Sequence, residues 1–383
     1  MGYHCFHNHC SNRTWQDARE AISGEDSIAQ FCRGYISVSS SQEKTSPLSI
    51  RIEDALLNAD DLIQKTNIPP KKKILNPWLT ERSITLIAGW RGTGKTWFGL
   101  SMFDAISRRT QLGPWNVETP IPCLYVDAEL YEGDIQERLR LLRTEEDLRK
   151  APLLIYSDSY ANSLGIKRAN LLSPQWRKDF KTLLIDKGIH LVGLDNISSL
   201  APGIEENKKE PWDPINQWLI DLRFNNISTI FFHHTNKEGS QRGTSGREDN
   251  IDISIILHRP HDYRTEDGAR FILKFKKNRM SVKDWGLIQD YEFRLTEVNG
   301  HVQWAWSSAK KKNQIEIIRM IDEGMKQEDI ANVLGVTKGF VSQIKTKAIK
   351  DGHLDSHGKL TLEGKSLANE ASLFEGEQDE FSC

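Results

Sequence analysis

Between Pro77 and Trp306, short apolar runs alternate with segments of helical period. The runs SITLIAG, IPCLYVDAE, LLIYSDS, IHLVGLD, ISTIFFHH, DISIILHR and ARFILKF read as strands. Several are nearly continuous in apolar residues, as strands buried on both faces of a parallel sheet should be. Segments such as PQWRKDFKTLLIDKG and WDPINQWLIDLRFNN supply the helical crossovers that parallel strands need. The pattern predicts an α/β domain with a mostly parallel sheet over 77–307. The flanks differ. Residues 1–50 begin with a Cys/His cluster and pass into the polar linker SVSSSQEKTSPLS. Residues 51–76 carry a short amphipathic helix, RIEDALLNADDLIQKT, before IPPKKK breaks the chain. A lysine run at Lys310–Lys312 leads into a small helical unit within 308–367, and 368–383 form an acidic tail.

In that small unit, QEDIANVLGVTKGFVSQIKTKAIKDGHL has the spacing of two short helices meeting at a turn. Ile330, Ala331 and Leu334 line the inside of the first helix. Gly335 turns, and Val336, Val341 and Ile344 seat the second. Thr337 caps that helix, leaving Lys338, Ser342, Gln343, Lys345 and Lys347 on or near its outer face. GHLDSHGKLTLEG follows as a two-stranded wing turning at His357 and Gly358. This resembles a winged helix-turn-helix. A basic outer face with few acids favours DNA over a purely protein-facing role.

A net charge of -2 means that any nucleic-acid binding must come from such local patches. No apolar run approaches the roughly 18 residues of a membrane span, and no signal peptide is legible, so the expected location is the cytoplasm. The five cysteines are scattered, which argues against a disulfide framework. At the N-terminus, Cys5, His7, His9 and Cys10 are residue types that suit zinc; a metal-free cluster is the alternative.

The strongest chemical signal is GWRGTGKT, Gly89 to Thr96, set between the strand SITLIAG and the helix TWFGLSMFDAISR. It matches GxxxxGK followed by Ser or Thr in the required strand, loop, helix context. Gly89, Gly92, Thr93 and Gly94 let backbone N–H groups turn inward around a triphosphate, with Trp97 beside them. Lys95 would neutralise the β and γ phosphates, and Thr96 would hold Mg²⁺. Hydrolysis needs carboxylates as well. HLVGLDNISSL puts Asp195 at a strand end, and CLYVDAEL puts Asp127 and Glu129 at another. A strand-end acid can also merely cap a turn. FFHHTNKEGSQRGTSGRED, Phe231 to Asp249, delivers His233 and His234 to a third strand end. Adjacent strand residues point to opposite faces, so the pair does not share one metal; one histidine is expected at the phosphate and the other in local packing.

The order of lysine loop, strand-end glutamate, strand-end aspartate and polar strand end resembles the RecA-type ATPase core. GLDNISSL, WDPINQWLIDLR, FFHHTNKEGSQRGTSGRED and ARFILKFKKNR resemble, in this order, the RepA-like hexameric helicase branch of the RecA/DnaB group. That branch occurs in phage and plasmid replication proteins, often behind a primase module. The resemblance covers about 75–307. It implies ATP and Mg²⁺ as cofactors, Glu129 as catalytic base, Asp195 as the Walker B acid, and His233 or His234 as a γ-phosphate sensor. It also implies a hexameric ring in which a neighbouring subunit supplies Arg242 or the pair Lys277 and Arg279; a solvated loop and a basic strand end are the plainer alternatives. The N-terminal cluster resembles the closing knuckle of zinc modules in phage primase-helicases. The function expected is a DNA helicase or DNA-translocating ATPase partnered by DNA and replication proteins. The alternatives are an ATP-dependent DNA-bound regulator or loader, and a recombinase-like filament.

Overall fold

The computed structural model describes residues 52–143, 148–204, 210–235, 250–260 and 262–367. They belong to two units, Met1–Pro69 and Pro70–Cys383. In the first, a 3₁₀ turn, Ile52–Ala55, precedes α1, Ala59–Gln64, and neither contains a buried residue. The single helix expected over 51–66 is thus two short pieces. Asn58 interrupts it, because its side chain accepts from Asp60 N and Asp61 N and restarts the helix as a cap.

The second unit opens with the small ribbon β1, Lys73–Leu75, and β2, Leu79–Thr80. Then come β3, Ile84–Gly89, and α2, Lys95–Arg108. A second ribbon, β4 Gln111–Leu112 and β5 Trp115–Asn116, leads to β6, Cys123–Asp127, and α3, Glu132–Leu141. Next are β7 Leu153–Ser157, α4 Asp158–Ser163, α5 Pro174–Asp186, β8 Leu191–Asp195 and α6 Ile197–Leu200. The chain continues with α7 Asp213–Phe224, β9 Ser228–His234, β10 Ile253–His258 and β11 Arg270–Asn278. It ends in β12 Tyr291–Val298, β13 His301–Ser308 and the helices α8 Ala309–Asp322, α9 Gln327–Leu334 and α10 Lys338–Lys350.

Nine strands form one sheet in the order β13-β12-β11-β10-β3-β9-β8-β6-β7. From β10 to β7 every neighbouring pair is parallel, the expected α/β, RecA-like core. β11, β12 and β13 continue the sheet antiparallel as a flange. The hairpin of β12 and β13 was not among the expected strands, although Asn299 and Gly300, both at positive φ, are the turn pair that such a hairpin favours. Alternate strand residues serve two cores. Ile87, Tyr125, Leu191, Ile230, Phe232 and Ile255 pack with Phe98 and Phe103 of α2. Leu86, Val126, Leu194 and Phe231 pack with Phe180 of α5 and Trp218 and Leu222 of α7. Every residue of β3 is buried, which is why its sequence shows no alternation.

The three C-terminal helices share a core of Ile317, Ile321, Ile330, Val341, Ile344 and Leu354. Gly335 turns at φ 62°, and Thr337 Oγ1 accepts from Phe340 N at 3.2 Å, both as the spacing predicts. The expected two-stranded wing is reduced to a turn closed by one bridge, Leu354 to Leu360, because Asp355 ties the backbone N–H groups of His357 and Lys359 to its own carboxylate. Lys338, Ser342, Gln343 and Lys347 are exposed, whereas Lys345 is half-buried, its end near Gly358.

Candidate active site

Parallel register brings four chain segments to one edge of the sheet. Gly89 of β3 pairs with His234 of β9, and Asp127 of β6 pairs with Asp195 of β8. Asp127 and Asp195 share side-chain parity with Tyr125 and Gly193, and His234 shares it with Phe232, so all three project on the α2 side. His233 shares the parity of Phe231, lies on the opposite face and is 3% exposed. His234 is therefore the site-facing histidine of the pair.

After β3 the loop turns at Gly92, φ 72°, and Gly94, φ 96°, and opens α2 with its free backbone N–H groups. A Cβ at Gly94 would come within 2.6 Å of Ala269 Cβ, so both its φ and its space require glycine. Lys95 is buried and donates from Nζ to Gly89 O and Trp90 O, each at 2.9 Å. Burial pulls the Lys95 ammonium down to about 8, with Asp195 and Glu129 opposing. Trp97, one turn along, faces Arg138, whose guanidinium carbon lies 4.9 Å from its ring centre.

The two aspartates divide the work. Asp127 Oδ1 accepts from Glu129 N at 2.9 Å and Leu130 N at 2.7 Å, closing the turn after β6. Burial, then the neighbouring Asp195, pushes its carboxyl up to about 6. Asp195 is buried at the phosphate end of the site, hydrogen-bonded by the hydroxyls of Tyr125 and Thr96. Burial raises its pKa, and those two bonds oppose the rise. Thr96 and Asp195 are an oxygen-only pair beside the lysine loop, which fits Mg²⁺ held by one carboxylate and substrate phosphates. Among the described residues no cluster of three His, Cys, Asp or Glu could hold a metal without such help.

Glu129 points out of the same edge and is half-exposed. Ser199 Oγ, on α6, donates to its Oε1 at 2.7 Å, and His234 Nε2 stands 3.9 Å from the same oxygen. Asn196 Nδ2 lies 3.1 Å from His234 Nε2. His234, followed by Ser199 and Asn196, holds the Glu129 carboxyl down to about 2 against its partial burial. The arrangement presents an ionised carboxylate, a cation and a buried second carboxylate at one edge of the sheet.

Lys277 and Arg279 are not brought to this edge. β11 runs back antiparallel to β10, so Lys277 sits level with Leu86 and Arg279 N bonds to Asp252 O, near the start of β3. At about 3.3 Å per residue, Arg279 is some 16 Å from the lysine loop of its own chain. Arg242 and the Cys5, His7, His9 and Cys10 cluster lie outside the described residues. Sequence reasoning missed Ser199, Asn196 and Tyr125, and also Arg259, whose Nη2 donates to Arg91 O at 3.2 Å and Gly92 O at 3.3 Å while its guanidinium lies on the Tyr263 ring. Ser199 was in reach of the pattern, standing one helical turn beyond Asp195; nothing in the local spelling marks Arg259.

Residues 47–240 match the AAA domain family, just over half of the 383 residues. Among solved structures, the chain is similar to a KaiC-like protein of the hyperthermophilic archaeon Pyrococcus horikoshii OT3, at 15% identity, 62% coverage of this chain, 99% of that one and a TM-score of 0.42. No curated protein matches the chain. With a lysine loop, a strand-end glutamate and a strand-end aspartate converging within the matched region, the chain belongs to the AAA domain family of P-loop ATPases.

Proposed function

We propose that the chain is a DNA-acting ATPase of phage- or plasmid-type replication, a helicase or translocase that hydrolyses ATP between the subunits of a ring, most simply a hexamer. The observation that carries hydrolysis is the placement of Glu129, half-exposed beside Lys95 and Asp195. In this reading the backbone N–H groups of 92–96 and Lys95 bind the β and γ phosphates. Glu129 orients the attacking water and accepts its proton, and His234 reports the γ-phosphate to the strand end through Asn196. Mg²⁺, when bound next to Thr96 and Asp195, would screen the charge of the triphosphate.

Arg242, Lys277 and Arg279 belong to this reading as groups offered to a neighbouring subunit. Arg279 stands near the sheet end away from its own lysine loop and Lys277 midway along the strand, placements that suit groups acting on another subunit's nucleotide. Lys338, Ser342, Gln343 and Lys347, with Lys345 partly covered, form the DNA-facing side of α10. The unit α8 to α10 acts as a helix-turn-helix with its wing shortened to a turn, and a primase is its partner in trans. The N-terminal Cys/His cluster is a zinc candidate to be tested by metal analysis.

Forked-DNA unwinding by wild type and by Lys95→Ala, with ATPase measured in parallel, tests the proposal. Wild type should hydrolyse ATP and unwind, and Lys95→Ala should do neither while still binding DNA. ATPase without unwinding would favour a DNA-bound ATP switch or loader, a reading for which the clamped state of Glu129 under Ser199 speaks.

A further inference from the structure

Tyr125 is used by neither the fold's capping nor the phosphate loop, yet its placement is unusually constrained. It lies on β6 directly opposite Gly193 of β8, and Asp195 is the next residue of β8 on the same face. The absence of a side chain at Gly193 lets the ring cross the β8 backbone: a Cβ there would meet Tyr125 Cδ2 at 3.0 Å and Phe103 Cζ at 2.7 Å. Gly99 of α2 leaves the second half of the slot, since a Cβ there would lie 2.7 Å from the Tyr125 hydroxyl oxygen. The rest of the ring is walled by Phe103 and Phe232, with centroids 5.2 Å and 6.0 Å away. A fully buried phenol in an apolar slot needs a partner for its one polar atom, and that partner is Asp195 Oδ2 at 2.7 Å.

We infer that Tyr125 is a positioning residue for Asp195. A carboxylate at a strand end can rotate about its last side-chain torsion, which is broad and shallow for aspartate. The phenolic O–H, fixed by two glycines and two aromatic rings, removes that freedom by holding Oδ2. Asp195 is then held in place beside Thr96, which also bonds its carboxylate. Groups that orient a metal's ligand govern affinity for the metal although they never touch it, and losing one typically costs roughly 10- to 100-fold. Phenylalanine would pack equally well in this slot, so packing alone gives no reason for the hydroxyl.

The inference rests on the reading of Asp195 as the carboxylate on the Mg²⁺ side, and the test separates the two. Binding of a fluorescent ADP would be titrated with Mg²⁺, and repeated in EDTA, for wild type, Tyr125→Phe, Asp195→Asn and the double variant. Tyr125→Phe should raise the Mg²⁺ half-saturation by roughly tenfold or more, with ADP affinity in EDTA and the melting temperature close to wild type. In the Asp195→Asn background the same change should add nothing. Unchanged half-saturation in Tyr125→Phe alongside a raised value in Asp195→Asn overturns the role of Tyr125 alone. Unchanged half-saturation in both overturns the metal reading of Asp195 and the inference with it. If Tyr125→Phe folds poorly, Gly99→Ala displaces the hydroxyl from the helix side instead. It should also raise the half-saturation, and a wild-type value in a folded Gly99→Ala protein would count against the inference.

Discussion

Lys95 donates to two carbonyl oxygens, and burial pulls its pKa to about 8. A bound triphosphate would favour the charged form, so its pKa must rise on binding. Between the free and bound values, binding takes up a proton. Calorimetry in buffers of different ionisation enthalpy should therefore show that net proton uptake per ATP bound is larger at pH 8.5 than at pH 7.5. Asp127 works in the other direction on stability. Its carboxyl titrates at about 6 in the fold against 3.8 as a free side chain, so the folded state binds the proton more tightly and stability falls as pH rises from about 4 to about 6. Asp127→Asn keeps the oxygen that closes the turn and removes that titration. Urea unfolding should find it more stable than wild type at pH 8, by on the order of 2 kcal/mol, with the advantage vanishing near pH 4.

At the scale of elements, the lysine loop depends on a neighbour remote in sequence. Gly94 abuts Ala269, one residue before β11 begins, and Arg259 holds the loop carbonyls from the end of β10. Gly94→Ala demands a left-handed backbone from alanine and 2.6 Å from a methyl group, so nucleotide binding should fall by two orders of magnitude or more in an equilibrium assay while the rest of the sheet still folds. The parallel strands and the lysine loop were legible because each is written locally: continuous apolar runs, and glycines at fixed spacing before a lysine. The site face was not. Which of His233 and His234 looks inward depends on whether Phe231 or Phe232 packs on α2, and sequence alone leaves those two parities equivalent. Lys277 and Arg279 were read from spelling alone, and only the antiparallel return of β11 reveals that Lys277 sits midway along the strand and Arg279 near the far end of the sheet. The β12–β13 hairpin was not legible despite its Asn299–Gly300 turn, because β13 and the end of β12 are only partly buried and so lack the apolar runs of the parallel strands.

For the molecule as a whole, a net charge of -2 means that the proposed DNA affinity would rest on a few lysines. Replacing Lys338 and Lys347 by alanine should weaken DNA binding without changing ATP hydrolysis in the absence of DNA. The slope of log affinity against log salt should fall in magnitude by about 1 to 2 if each lysine neutralises one phosphate, and a slope equal to wild type would remove α10 from the DNA interface. No described helix is long and apolar enough to cross a membrane.

The turn between β10 and β11 has a further bearing on how the protein can be altered. Arg270 is fastened there by Asp262, Asp267 and Glu292, at 2.7, 2.9 and 2.8 Å. The cage sets Ala269 against Gly94, and the segment running on through β11, β12 and β13 to α8 starts from that point. The tip at Asn299 and Gly300 lies at the same end of the sheet but on its outermost hairpin, where a Cβ on Gly300 would meet nothing within 4 Å. A peptide tag spliced between Asn299 and Gly300 should leave ADP affinity as it was, whereas the same tag after Glu266 should abolish it. Tolerance to insertion thus separates an outer hairpin that bears on nothing from an inner turn braced against the lysine loop.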